Sequence, residues 1–378
     1  MTLNHLKIDL NAIRSNYYAL KELVPASTQI MPVVKSDAYG HGAIAITKSL
    51  EDTGCNLFAV FEIDEAIILR KAGVEASILI LMGVNCDEVE DVVDYNLIPA
   101  VYRFDIAEKI SQTAQKYNKT ISIHIKVDTG MTRLGIRAND LDDFIKKISM
   151  LKNINIAGIF SHLSISDEPA NEFNNYQIKT FLNAISKYKN KNFIFHMANS
   201  GGIIGHIGSD FNVSRAGISL YGAYPNPDSK NNIKLKQAMH FCSKIIFIKT
   251  CSANSPVSYR MTYKTTKTTK IATIPVGYDD GYNRRLSNNG QVLIKGIRAP
   301  IIGRVCMNLS MIDVSHIPDV EIGDEVVLMG KQGNDIITVD EIASKIGTIN
   351  YEVFCLFGKC NRKIYSDLIQ NKDIGNYS

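Results

Sequence analysis

Between about residue 28 and residue 230 the chain alternates short β-branched runs with segments of helical period, which constrains its fold more than any other feature. The runs read TQIMPVVK, NLFAVF, SILILM, IPAVY, ISIHIKV, IAGIFSHL, NFIFHMA and NVSRAGI. The segments between them include IDEAIILRKAG, FDIAEKISQTAQKY, LDDFIKKISML and EFNNYQIKTFLNAISKY. About eight strand–helix units in this length match a (β/α)8 barrel. A doubly wound sheet would use the same alternation with fewer strands. The connection after FHMANSGG is too short for a full helix.

The pattern changes near residue 235. SKIIFIKTCS, PVSYRMTY, TKIATIPVGY, GQVLIKGIRAPIIGRV, LSMIDV and DEVVLMG read as strands joined by turns, followed by a helix at VDEIASKIG and a strand-like INYEVFCLF. At 378 residues the chain exceeds what one core usually holds. We therefore expect a barrel over residues 1–235 and a mainly antiparallel β-domain over 236–378. The polar tail QNKDIGNYS is expected to fray.

Composition excludes several classes. A hydrophobic content of 45% and a charged content of 21% are those of a soluble globular protein. A net charge of +4 is too small for this length to argue for nucleic acid. The basic run from Arg260 to Lys270 alternates like a charge-guarded edge strand. The seven cysteines form no C-x-x-C pair, and the histidines show no H-E-x-x-H spacing, so neither a disulfide framework nor a metal site is expected. No apolar run is long enough to span a bilayer and the N-terminus does not read as a leader, so we expect a cytoplasmic protein.

Barrel enzymes carry their chemistry at the C-terminal ends of the strands, and candidate residues recur there. Lys35 ends the first run, Lys126 and Arg133 lie at the end of the fifth, and His162 ends the sixth. Asn199 and Ser200 follow the seventh, and Arg215 and Gly217 close the eighth. A lysine delivered to such a rim can be desolvated, which favours the free amine needed for a Schiff base. Barrels also bind phosphate with the loops after strands seven and eight. Ser200 would supply a hydroxyl there, and the amides of Gly217 and Ile218 can face an anion because glycine admits close backbone approach. Taken singly, each of these residues has an ordinary structural reading as a snorkelling lysine, a loop arginine, a core histidine or a turn.

The longer strings resemble one family. VVKSDAYGHG is similar to the pyridoxal-phosphate lysine motif of alanine racemases, and KIDLNAIRSNY, IKVDTGMTRLG, FSHLSISDEP, HMANS, SRAGISLYG, PVSY, ATIPVGYDDGY, IIGRVCMN and GTINYE follow that family in order. The resemblance implies pyridoxal phosphate on Lys35, a small amino-acid substrate, D-alanine made for peptidoglycan, and a homodimer whose sites are shared between subunits. It implies Lys35 and Tyr259 as two catalytic bases, Tyr259 coming from the other subunit. Arg133 and the Met307 amide would hold the substrate carboxylate, and Tyr39, Ser200, Gly217, Ile218 and Tyr351 would contact the phosphate. Arg215 would meet the pyridine nitrogen with His196 behind it, His162 would lie near Tyr259, and Lys126 matches a position carbamylated in many members.

Two departures stand out. Arg260 occupies a position where the family commonly has glycine, and Asn308 one where aspartate is frequent. Three alternatives remain at this stage: a serine or broad-specificity racemase, a non-catalytic pyridoxal-phosphate carrier, and a barrel decarboxylase. A carrier would not need the β-domain, and a decarboxylase wants a carboxylate at the pyridine nitrogen where Arg215 stands.

Overall fold

Eight parallel strands pair in the circular order Gln29–Pro32, Val213–Ala216, Ile194–His196, Ile154–Phe160, Ile121–Asp128, Ile98–Val101, Ser77–Ile80 and Leu57–Val60. A parallel bridge between Val33 and Ala59 joins the last to the first, with the Val34 amide donating to the Ala59 carbonyl at 2.8 Å. This is the expected barrel, in a computed structural model that describes residues 3–366. The QNKDIGNYS tail lies outside the described residues.

The strands are β-branched and apolar because both of their faces are covered. Ile30, Met31, Phe58, Ile78, Ile80, Ile123, Ile125 and Ile159 are fully buried. The helical-period segments fold as helices at Ile63–Lys71, Phe104–Lys116, Leu141–Ser149 and Glu172–Ile185. Only a five-residue helix, Ser200–Ile204, follows the seventh strand, as the short FHMANSGG connection predicts.

The second unit is a mainly antiparallel sheet of Ile297–Pro300, Gln291–Ile294, Glu325–Gln332 and Met239–Lys244, extended by strands from the two ends of the described chain. His5–Asp9 pairs antiparallel with Met239–Lys244 and parallel with Lys363–Ser366. A three-stranded sheet, Phe247–Cys251, Thr269–Ile274 and Ser310–Asp313, stands beside it.

Two expectations are corrected here. The strand-like INYEVFCLF is a helix, Asn350–Cys360, whose buried residues Asn350, Val353, Phe354, Phe357 and Gly358 recur at helical spacing. Its β-branched and aromatic content misled the reading, because packing on one face overrides propensity. PVSYRMTY is not one strand either. Pro256–Val257 and Tyr263–Lys264 form a small hairpin tipped by a turn at Tyr259–Met261. Ser258, Arg260 and Met261 all have positive φ there, which no continuous strand tolerates. The basic run from Arg260 is accordingly split between that hairpin and the strand Thr269–Ile274. Among the described residues no helix is long and apolar enough to cross a membrane.

Candidate active site

Lys35 leaves the first barrel strand on a left-handed turn. Ser36, Asp37, Ala38 and Tyr39 all have φ near 53°, and Gly40 follows at 82°. Each non-glycine residue there costs about 1–2 kcal/mol, so the turn exists only because its surroundings over-determine it. Glu65 accepts from the amides of Ser36 and Phe61, and Lys363 pairs with Asp37 at 2.8 Å. Helix Asn350–Cys360 presses on the other side, where a Cβ on Gly358 would lie 2.2 Å from the Gly40 Cα. His41 Nδ1 lies 3.1 Å from the carbonyls of both Ala38 and Tyr39, and as donor it ties the end of the turn.

The turn aims Tyr39 at the loops after strands seven and eight. An added Cβ on Gly217 would meet the Tyr39 hydroxyl at 2.9 Å, so only glycine leaves this cradle open. Ser200 Oγ accepts from the amides of Gly217, at 3.0 Å, and Ser219, at 3.3 Å. Its own proton is then free to donate to an anion. Among the described residues the buried Ser219 hydroxyl has no partner, and Ile218 opens the following turn. Asn199 caps the short helix by accepting from the Gly202 amide at 3.0 Å, and Ser166 donates to Asn199 at 2.6 Å. The set fits a phosphate-bearing ligand. Tyr351 packs 6.0 Å from Tyr39, and burial raises its phenol to about 12.

Arg215 lies at the centre of the barrel mouth, 2% exposed. Its Nη2 donates to the Ser161 carbonyl at 2.7 Å, the Met197 carbonyl at 2.8 Å and His162 Nδ1 at 3.0 Å, and its Nη1 donates to His196 Nδ1 at 2.6 Å. Among the described residues its Nε–H meets no acceptor. Burial lowers its pKa to about 9, which leaves it cationic at neutral pH. Both histidines are held neutral, by burial first and by the Arg215 charge second.

Cations dominate this mouth. Burial and then the Arg133 charge lower the Lys35 pKa, with Glu65 opposing. Lys126 is lowered to about 7 by burial, Arg215, Arg133 and Lys35 in that order. Its amine donates to the Leu81 carbonyl at 3.3 Å and stands 5.4 Å from the Phe160 ring. Two lysines with weakened proton affinity, facing two guanidinium groups, describe a site built to receive anions and to supply a free amine.

The chain does not bring every candidate together. Tyr259 is 68% exposed and Met307 54% exposed. Among the described residues no hydrogen bond or charge interaction joins either to Lys35, Arg133 or Arg215, and none joins Tyr259 to His162. The Met307 amide has no hydrogen-bond partner among the described residues. Asn308 donates to Asp279 at 3.3 Å, where an aspartate would set two carboxylates side by side.

Sequence reading overlooked Glu65 and His124. Nothing in IDEAIILRKAG marks Glu65 as the anchor of the turn. His124 carried a usable signal, since it sits two residues before Lys126 on the same face of one strand. Its Nδ1 lies 2.9 Å from His196 Nε2.

Comparison with known proteins gives this geometry a context. Residues 8–225 match the alanine racemase N-terminal domain and residues 238–365 the alanine racemase C-terminal domain. The chain is 40% identical over 370 residues to the alanine racemase of Syntrophobacter fumaroxidans, covering 97% of this chain and 99% of that one. Among solved structures, alanine racemase from Clostridium difficile 630 superposes with a TM-score of 0.90 at 34% identity, covering 97% of this chain and 96% of that one. The enzyme from Bartonella henselae, described with covalently bound pyridoxal phosphate, superposes with a TM-score of 0.85 at 32% identity over 97% of this chain and 100% of that one.

Proposed function

The chain belongs to the alanine racemase family, and from that premise we propose that it interconverts L- and D-alanine with pyridoxal phosphate held at the barrel mouth. The observation that carries the reading is Lys35, an amine of lowered proton affinity mounted beside the Ser200–Gly217–Tyr39 cradle. Joined there to Lys35, the cofactor would supply an electron sink for the bond from Cα to its proton.

The remaining roles belong to the chain. Tyr39, Ser200, Gly217, Ile218 and Tyr351 would hold the phosphate. Arg215 would face the pyridine nitrogen and, cationic at neutral pH, would give it no proton. Arg133 binds the substrate carboxylate. Lys126 takes up carbon dioxide to become a carbamate that orients Arg133.

Racemisation needs one base on each face of Cα, which spares the substrate any turning over. Lys35 serves one face and Tyr259 of a second copy of the chain serves the other, with the Met307 amide of that copy completing the carboxylate site. Supporting this sharing, Tyr259, Met261, Met307 and Leu309 expose apolar surface on the β-domain. The barrel proposed to hold the cofactor thus starts after His5–Asp9, which joins the β-domain sheet, and the β-domain braces its own barrel through helix Asn350–Cys360 while offering the Tyr259–Met307 face to the partner. Seven unpaired cysteines fit a reducing compartment, so we assign the protein to the cytoplasm, supplying D-alanine for peptidoglycan.

A chiral assay of purified, cofactor-loaded protein tests the activity, and subunit mixing tests the sharing. Lys35→Ala and Tyr259→Phe proteins should each be inactive. Heterodimers of the two should regain activity, because one of their two sites carries both native bases. Inactivity of proven heterodimers would refute the shared site, and a racemising Lys35→Ala protein would refute the chemistry.

A further inference from the structure

Arg215 is held through a chain of rings that ends at a residue given no role so far. Its guanidinium has no acceptor atom, so His196 Nδ1, 2.6 Å from Nη1, must carry a lone pair. The His196 proton therefore sits on Nε2, which points at His124 Nδ1 at 2.9 Å. His124 must accept there and carry its own proton on Nε2. One cation thus sets the tautomers of two successive imidazoles.

Packing leaves His124 little freedom. It is 1% exposed, and a Cβ on Gly158 would stand 2.6 Å from its Cε1 and 2.7 Å from its Nδ1. Phe160 stacks on the His196 ring, centroids 4.7 Å apart and planes at 1°, so His196 cannot tilt toward another partner.

We propose that His124 is a positioning residue for racemisation, whose Nδ1 locks His196 in the tautomer that holds the Arg215 guanidinium in place. This rests on the reading that Arg215 serves the cofactor ring. Without an acceptor at position 124, the His196 Nε2–H is buried and unpaired. Its proton escapes by moving to Nδ1, where it meets an Arg215 N–H donor to donor at hydrogen-bond distance. The guanidinium must then leave its fork.

The test compares His124→Leu, which offers no acceptor, with His124→Asn, whose Oδ1 can accept from His196. Holoenzyme kinetics, titration of apoprotein with pyridoxal phosphate, and melting temperature are measured on all three proteins. For His124→Leu we expect kcat and cofactor affinity to fall by about 10- to 100-fold with KM for alanine nearly unchanged. His124→Asn should recover most of both, whatever its melting temperature. Equal losses in the two variants, or none in His124→Leu, overturn the proposal. Should His124→Leu not fold, ring-15N spectra of the wild-type protein decide the matter, since His196 protonated at Nδ1 overturns it and protonation at Nε2 supports it. Wild-type protein that neither binds pyridoxal phosphate nor racemises alanine would instead overturn the functional reading, and the same spectra would still judge the relay.

Discussion

Withdrawing and then restoring carbon dioxide perturbs Lys126 selectively, and the structure sets the size of the response. This lysine is 6% exposed, faces the charges of Arg215, Arg133 and Lys35, and has a pKa of about 7. Half of its amines are then neutral at pH 7, against roughly one in 3,000 for an unperturbed lysine, a gain on the order of a thousandfold in the form that attacks carbon dioxide. In that step an N–C bond forms and nitrogen releases one proton to solvent. A cation is thereby replaced by a carbamate anion among guanidinium groups. Burial contributes most to the drop in the Lys126 pKa and would act on a carbamate too, but the repulsion from Arg215, Arg133 and Lys35, which also lowers it, turns into attraction on modification.

Protein equilibrated with 13C-bicarbonate at neutral pH should show one carbamate resonance and gain the mass of one carbon dioxide. Lys126→Met protein should show neither, and mild acid should remove both together with much of the activity. Stability supplies a second reading. In unmodified protein the unfolded chain binds more protons than the folded one between pH about 7 and 10.5, so stability rises with pH across that window. Carbamylated and Lys126→Met proteins should lack that slope. A native sample with no carbamate signal at neutral pH, in excess bicarbonate, would refute the reasoning.

Other outcomes follow from single contacts. Arg260 has φ 61°, so Arg260→Gly should stabilise the protein by roughly 0.5–1 kcal/mol, read as a raised denaturation midpoint at unchanged m-value. Gly358→Ala should destabilise by about 1–3 kcal/mol through its clash with Gly40, and should weaken pyridoxal-phosphate binding because the Lys35 turn must shift. Unchanged cofactor affinity would mean that helix Asn350–Cys360 does not brace that turn. Tyr351→Asn should raise serine turnover relative to alanine by opening space beside Tyr39, measured as the ratio of kcat/KM values. A wild-type preference for serine, whose added hydroxyl costs at most about a hundredfold in an apolar pocket, would contradict the alanine assignment.

The sequence by itself determined the barrel and most of its rim. Strand and helix periods are local properties, and each polar candidate follows a buried run, so Lys35, Lys126, His162, Ser200 and Arg215 could be assigned to one end of one sheet without coordinates. Where the local pattern was ambiguous, distant packing decided. INYEVFCLF carries an apolar content that suits a strand, yet Val353, Phe354 and Phe357 needed a core on one side only, and a helix provides that. The left-handed turn after Lys35 was out of reach for the same reason. Gly40 and Gly42 mark a turn, but four non-glycine residues sit at φ near 53° only because Glu65, Lys363 and Gly358, remote in the chain, brace them. The tautomers behind Arg215 are likewise tertiary, since His124, His196 and Arg215 lie on three strands and meet only when those strands assemble into one sheet. A hydrogen bond between such groups has no periodic trace in the sequence, because it depends on where strands far apart in the chain are placed within one sheet.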